Sequence, residues 1–181
     1  FIETMGMGRV GEDTLVESPS RNAYVRRHTD PVLARDRLTY YSYMHAAVRN
    51  ELPPINIHSD EYTKQPTGYR MVYYKTSTML FNLRYVLGDS LFDAALQHYF
   101  AQWKFKHPYI EDFRQSFISF THVDLNWFFD QWIDTGKRLD YAVRGVKNRG
   151  ADAGQCIHFR RKGEMQMPID FTVTANDGKT Y

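Results

Sequence analysis

The stretch Arg70-Met71-Val72-Tyr73-Tyr74-Lys75-Thr76-Ser77-Thr78-Met79-Leu80-Phe81-Asn82-Leu83-Arg84-Tyr85-Val86-Leu87-Gly88-Asp89-Ser90 decides how the chain is read. Val72, Thr76, Met79, Leu80, Leu83, Val86 and Leu87 fall mostly at steps of three and four, which lays one apolar stripe along a helix. Gly88 offers the left-handed residue that ends such a helix. Asp89 or Ser90 is then placed to cap a second helix, whose stripe is Leu91, Phe92, Ala95, Leu96, Tyr99, Phe100 and Trp103.

Pro108 stops any continuation, and a third helix follows with Phe113, Phe117 and Ile118 on its inner face. Asp124 is expected to cap a fourth, where Leu125, Phe128, Phe129 and Trp132 align before Gly136 terminates it. Short connections favour antiparallel neighbours, so residues 69–136 read as a helical bundle. From Asp140 the period changes to two. Tyr141, Val143 and Val146 mark one strand, Ile157 and Phe159 a second, and Ile169, Phe171 and Val173 a third, with Asn148 to Gly154 closing a hairpin. Upstream, residues 1–68 are punctuated by Gly and Pro, and only Val32 to Val48, with Pro31 and Asp30 at its start, suggests a helix. The fold class is therefore mainly α, an antiparallel helical bundle, followed by a small antiparallel β segment.

Composition narrows the functional classes. The 181 residues are 43% hydrophobic and include twelve Phe, thirteen Tyr and three Trp, enough apolar surface to exclude a disordered chain. No apolar run approaches the roughly 20 residues of a membrane helix. Twenty-three basic residues against twenty-one acidic ones give no global charge for nucleic acid. Arg26, Arg27, Arg35, Arg37 and Arg49 do surround Tyr24, Tyr40, Tyr41 and Tyr43, but acidic neighbours dilute them, and solvated arginines over packed tyrosines are expected. Cys156 has no partner for an internal disulfide, and its strand setting suggests an inert thiol.

Seven histidines are present, none paired at the spacing of H-E-x-x-H, so no zinc signature lies within the chain. His58-Ser59-Asp60-Glu61 gathers ligand types but reads as a solvated loop. There is no G-x-S-x-G elbow, and Gly6-Met7-Gly8 lacks both the third glycine and the preceding strand of a dinucleotide fingerprint. The tyrosines Tyr69, Tyr73 and Tyr74 at the start of the first bundle helix remain. A phenol near a helix N-terminus can donate to a developing oxyanion, although most such tyrosines simply pack.

The helix bearing Val72-Tyr73-Tyr74-Lys75-Thr76, with Met79-Leu80, Leu83 and Leu87-Gly88, resembles the Tyr-x-Lys helix of the aminopeptidase N family of zinc metallopeptidases. Leu91-Phe92 with Tyr99, Trp103-Lys104-Phe105-Lys106-His107-Pro108, Asp112-Phe113 and Asp124 to Trp132 follow in the family's order, the likeness being clearest over residues 69–147. Met167-Pro168-Ile169 is similar to the opening of the β-sandwich that follows the catalytic domain in that family. Phe1-Ile2-Glu3 resembles the segment just after the family's zinc-binding glutamate.

The resemblance implies that residues 1–138 are the helical C-terminal subdomain of a thermolysin-like catalytic domain, with 1–68 rich in loops, and that 139–181 begin a β-sandwich. It implies a zinc-dependent aminopeptidase acting on peptide N-termini, with the zinc ligands in the parent protein but outside this chain. The family's oxyanion-binding tyrosine maps onto Tyr73, Tyr74 takes the variable position, and Thr76 replaces a glycine common in close relatives. Its partners would be peptide substrates and the remaining domains of the parent protein. The non-Met start at Phe1, and Asn176-Asp177-Gly178 with only three residues after it, likewise suggest a piece of a longer polypeptide. The resemblance leans towards an extracytoplasmic bacterial protein. The alternatives are a non-catalytic member of the same fold acting as a peptide-binding or scaffold module, and an unrelated helical module using Trp127 and Trp132 as partner anchors.

Overall fold

The computed structural model describes residues 15–18, 20–34, 36–64, 68, 70–148, 154–175 and 177–180. Phe1-Ile2-Glu3, Gly6-Met7-Gly8, Arg35, Tyr69, Asn176 and most of the hairpin loop lie outside the described residues. The chain divides into two compact units, Phe1–Gly136 and Lys137–Tyr181.

The first unit opens with a two-residue ladder, β1 (Leu15–Val16) against β2 (Val32–Leu33), antiparallel, around the short helix α1 (Ala23–His28). The Asn22 side chain accepts the Tyr24 N–H and so caps α1. A single helix over 32–48 is not what forms. Pairing with Leu15 and Val16 draws Val32 and Leu33 into extended backbone, a π-helical turn spans Asp36–Tyr40, and α2 occupies only Tyr41–Val48. A five-residue helix α3 (Ser59–Thr63) was not foreseen, since its sequence, Ser-Asp-Glu-Tyr-Thr, has no apolar stripe.

The four expected bundle helices are present: α4 (Arg70–Leu87), α5 (Asp89–Trp103), α6 (Ile110–Thr121) and α7 (Asn126–Ile133). Gly88 takes φ 78°, a conformation a side chain would strain, and itself caps α5. Asp89 is thus the first residue of α5 rather than its cap, and its carboxylate accepts from Arg84 Nε at 2.8 Å. Asp124 lies one residue before the α7 cap, Leu125, yet its side chain accepts the Asn126 N–H at 3.0 Å. Asp112 reaches back to the Tyr109 N–H at 2.8 Å, satisfying a donor the α6 start leaves open.

Packing runs from α2 to α4, from α4 to α5 and from α5 to α6. The core is aromatic: Phe92, Phe117, Phe128, Phe129 and Trp132 are fully buried, with Leu83 and Leu125 among them. Phe113 links Phe117 (4.5 Å between ring centres) to Phe129 (6.0 Å), and Trp132 continues to Tyr43 of α2 (5.8 Å). These offset and edge-on pairs add to the area they bury. Phe100 is 68% exposed and so leaves the stripe expected for it, and Trp127 is 39% exposed.

In the second unit, β3 (Tyr141–Asn148) pairs antiparallel with β4 (Gln155–Arg161) as the hairpin required. The tip of a third strand is absent among the described residues: Ile169, Phe171 and Val173 form no ladder, and only an isolated bridge joins Thr174 to Thr180 across the turn at Gly178. Phe171 instead packs its ring on Phe159, 4.9 Å between centres. Gly163 is required by close approach, because a Cβ there would sit 2.2 Å from the Arg138 carbonyl oxygen.

Candidate functional site

Tyr73 is the fourth residue of α4, in its first turn, and is 71% exposed. Tyr74 beside it is half-buried, and its carbonyl accepts the Thr78 hydroxyl at 2.8 Å. Thr76, one turn after Tyr73 on the same side of the helix, has a buried hydroxyl with no hydrogen-bond partner among the described residues.

Lys75 is the unexpected member of this turn. It stands four and eight residues before Met79 and Leu83, on the face that packs inward, and is fully buried. A buried ammonium must be compensated by acceptors. Lys75 Nζ donates to the Pro53 carbonyl at 2.8 Å and to the Thr135 carbonyl at 2.5 Å. Burial pushes its pKa down to about 8, and the Asp134 carboxylate opposes that fall.

Both acceptors belong to one clasp. The carbonyl of Ile133, at the end of α7, accepts from the backbone N–H groups of Ile55 (2.7 Å) and Asn56 (3.2 Å). Thr135 Oγ1 donates to the Gln131 carbonyl at 2.6 Å. Tyr62 Oη donates to the carbonyls of Pro54 (3.3 Å) and Ile55. The carbonyls that a helix end leaves open are thus satisfied by the 53–56 segment, by Thr135 and, just past the helix, by a cation suited to its negative pole. Gly136 takes part by closeness rather than by a left-handed turn: a Cβ on it would meet the Leu52 carbonyl oxygen at 2.3 Å. Arg114 adds charge on the outer side, with Nη1 2.6 Å from Asp130 and Nη2 3.5 Å from Asp134.

Chemically, the first turn of α4 presents a proton-donating phenol to solvent from backbone fixed by an internal cation two residues on. Pro53, Asp134 and Thr135 were missed in the sequence because their roles run through backbone carbonyls or across 60 positions. Lys75 was legible only as a motif residue, although its register with Met79 and Leu83 carried the signal. The remaining candidates stay apart. His58 is exposed and accepts the Asp60 N–H at the start of α3. Cys156 is half-buried in β4. Tyr43 packs and Tyr40 lies edge-on to Phe81, while Tyr24 and Tyr41 are exposed, so the tyrosine layer is only partly internal. Among the described residues no three His, Cys, Asp or Glu side chains gather as a metal site, so these residues do not fit zinc by themselves. No described helix is long and apolar enough to cross a membrane.

A family model described as the Peptidase family M1 domain matches residues 13–132, a span that takes in Tyr73, Lys75 and the 53–56 segment and stops just before the Ile133–Gly136 side of the clasp. The chain belongs to this peptidase family, a class of hydrolases whose substrates are peptides. No curated protein and no solved structure matches it.

Proposed function

We propose that this chain is part of a zinc-dependent aminopeptidase that removes N-terminal residues from peptides, and that Tyr73 supplies a hydrogen bond to the oxyanion of the tetrahedral intermediate. The observation that carries this reading is the pairing of an exposed phenol at Tyr73 with the buried anchor Lys75 in one turn of a helix. A donor aimed at developing charge works only if it needs no reorganisation when the charge appears. Lys75 fixes the backbone, the positive pole of α4 favours an anion nearby, and the phenol offers one O–H.

In this reading residues 1–138 belong to the catalytic domain and 139–181 open a β-sandwich. Zinc, when bound in the whole protein, polarises the carbonyl and activates water. Its ligands would lie outside this chain. What this chain does is orient the phenol and hold its proton against the oxygen that becomes negative.

The test is steady-state hydrolysis of an aminoacyl arylamide by the zinc-loaded protein carrying this segment. Tyr73→Phe should lower kcat by about a hundredfold, the usual cost of losing one such donor, with KM little changed. Turnover within about twofold of the parent would remove Tyr73 from the mechanism, and absence of turnover in the parent itself would favour a non-catalytic, peptide-binding member of the family.

A further inference from the structure

The hairpin of the second unit carries a feature that the peptidase reading does not use. Its ladder passes from Val143 opposite Phe159 to Gly145 opposite His158, so Arg144 and Gly145 together stand against a single residue. Such a bulge turns the extra side chain out of strict alternation. Two residues either side of this point, Ala142 pairs with Arg160 and Lys147 with Cys156. By register His158, Lys147 and Arg160 share one face, and the bulge adds Arg144 to it.

Arg144, Gly145, Lys147 and His158 line a concavity of about 370 Å³. Gly145 leaves the space beside it open, since a Cβ placed there meets nothing within 4 Å. No carboxylate is among the lining residues, and neither Arg144 nor Lys147 has an ion-pair partner among the described residues. The opposite face of the hairpin carries Val143, Val146, Ile157 and Phe159 together with Arg161, so most of the described cations of the hairpin stand on the face of His158. The wider setting agrees: residues 137–181 hold nine Lys and Arg against five Asp and Glu, whereas acidic residues outnumber basic ones over 1–136.

The geometry points to a binding site for a small oligoanion, a ligand with two or more adjacent phosphoryl or carboxylate groups, seated over Gly145 between Arg144, Lys147 and His158. The guanidinium would take two oxygens in its planar fork, and the ammonium would meet a second charged group. A lining of one charge sign raises the local concentration of counter-ions. The volume exceeds what one inorganic phosphate fills, which favours a diphosphate-sized ligand. This inference does not rest on Tyr73.

The experiment is isothermal titration of the full chain with inorganic diphosphate and, separately, with citrate, in a metal-free chloride buffer. Saturable one-to-one binding is expected. Arg144→Gln and Lys147→Gln, both exposed and outside the core, should each weaken it about tenfold. Gly145→Val should weaken it without removing charge, by filling the open space beside position 145. Arg161→Gln removes an equal charge from the other face, opposite Tyr141, and should change affinity by less than about twofold. The stronger of the two ligands identifies the phosphoryl or the carboxylate source. No saturable binding of either, or an equal loss from Arg161→Gln and Arg144→Gln, would overturn the site.

Discussion

Lys75 Nζ lies 2.5 Å from the carbonyl oxygen of Thr135, sixty residues further along the chain. That contact ties the start of α4 to the segment just past α7, and the second contact, to Pro53, fastens the loop between α2 and α3 to both. An exposed tyrosine two residues away therefore sits on backbone held from inside.

The Lys75 ammonium should leave a signature in stability against pH. Its pKa falls to about 8 in the folded state from 10.5. Between those values the unfolded chain binds more protons, so the free energy of unfolding rises with pH through that window. Below pH 8 both states are protonated and the contribution is flat. Urea titrations from pH 7 to 10 should show the parent gaining stability relative to Lys75→Met by at most about 1.4 kcal/mol per pH unit. Parallel profiles would mean that Lys75 is not desolvated as described.

Gly136→Ala should destabilise the first unit. The added methyl would overlap the Leu52 carbonyl oxygen, and backbone cannot swing aside as a flexible side chain can. A loss of about 1–3 kcal/mol in urea, with an unchanged m-value, is expected. Ala in place of Gly163 should act likewise on the second unit, against the Arg138 carbonyl.

The isolated chain should hold no stoichiometric zinc and release no amino acid from an aminoacyl arylamide. Its described residues bring no three ligand side chains together. Metal analysis after desalting from a zinc solution checks the first statement, and an arylamide assay checks the second. One equivalent of retained zinc would require donors within these 181 residues.

Much of the bundle was readable from residue order, because α4 to α7 each carry apolar residues at helical spacing; Gly88 follows the end of α4 and Gly136 lies just past α7, whereas α6 ends at a left-handed His122 that nothing in the sequence singled out. The clasp was not. A lysine on an apolar stripe becomes a buried anchor only when distant carbonyls arrive to accept its protons, and nothing local announces Pro53 or Thr135. The 32–48 segment misled for a similar reason: a two-residue ladder to Leu15 and Val16 overrides its helical pattern. Ile169, Phe171 and Val173 have strand-like alternation, but alternation makes a strand only where a neighbouring strand supplies the hydrogen bonds. At the candidate site, Tyr73 was legible through a resemblance rather than through its chemistry, since helical tyrosines are common and mostly pack.

The central claim is that the Tyr73 phenol binds the oxyanion rather than the substrate's ground state, and the affinity of a tetrahedral phosphinic peptide analogue tests it most directly. In the zinc-loaded protein carrying this segment, Tyr73→Phe should weaken that analogue about a hundredfold, by the same factor as kcat/KM, while a substrate-like peptide binds as before. Equal binding of the analogue by the parent and Tyr73→Phe proteins would contradict the account.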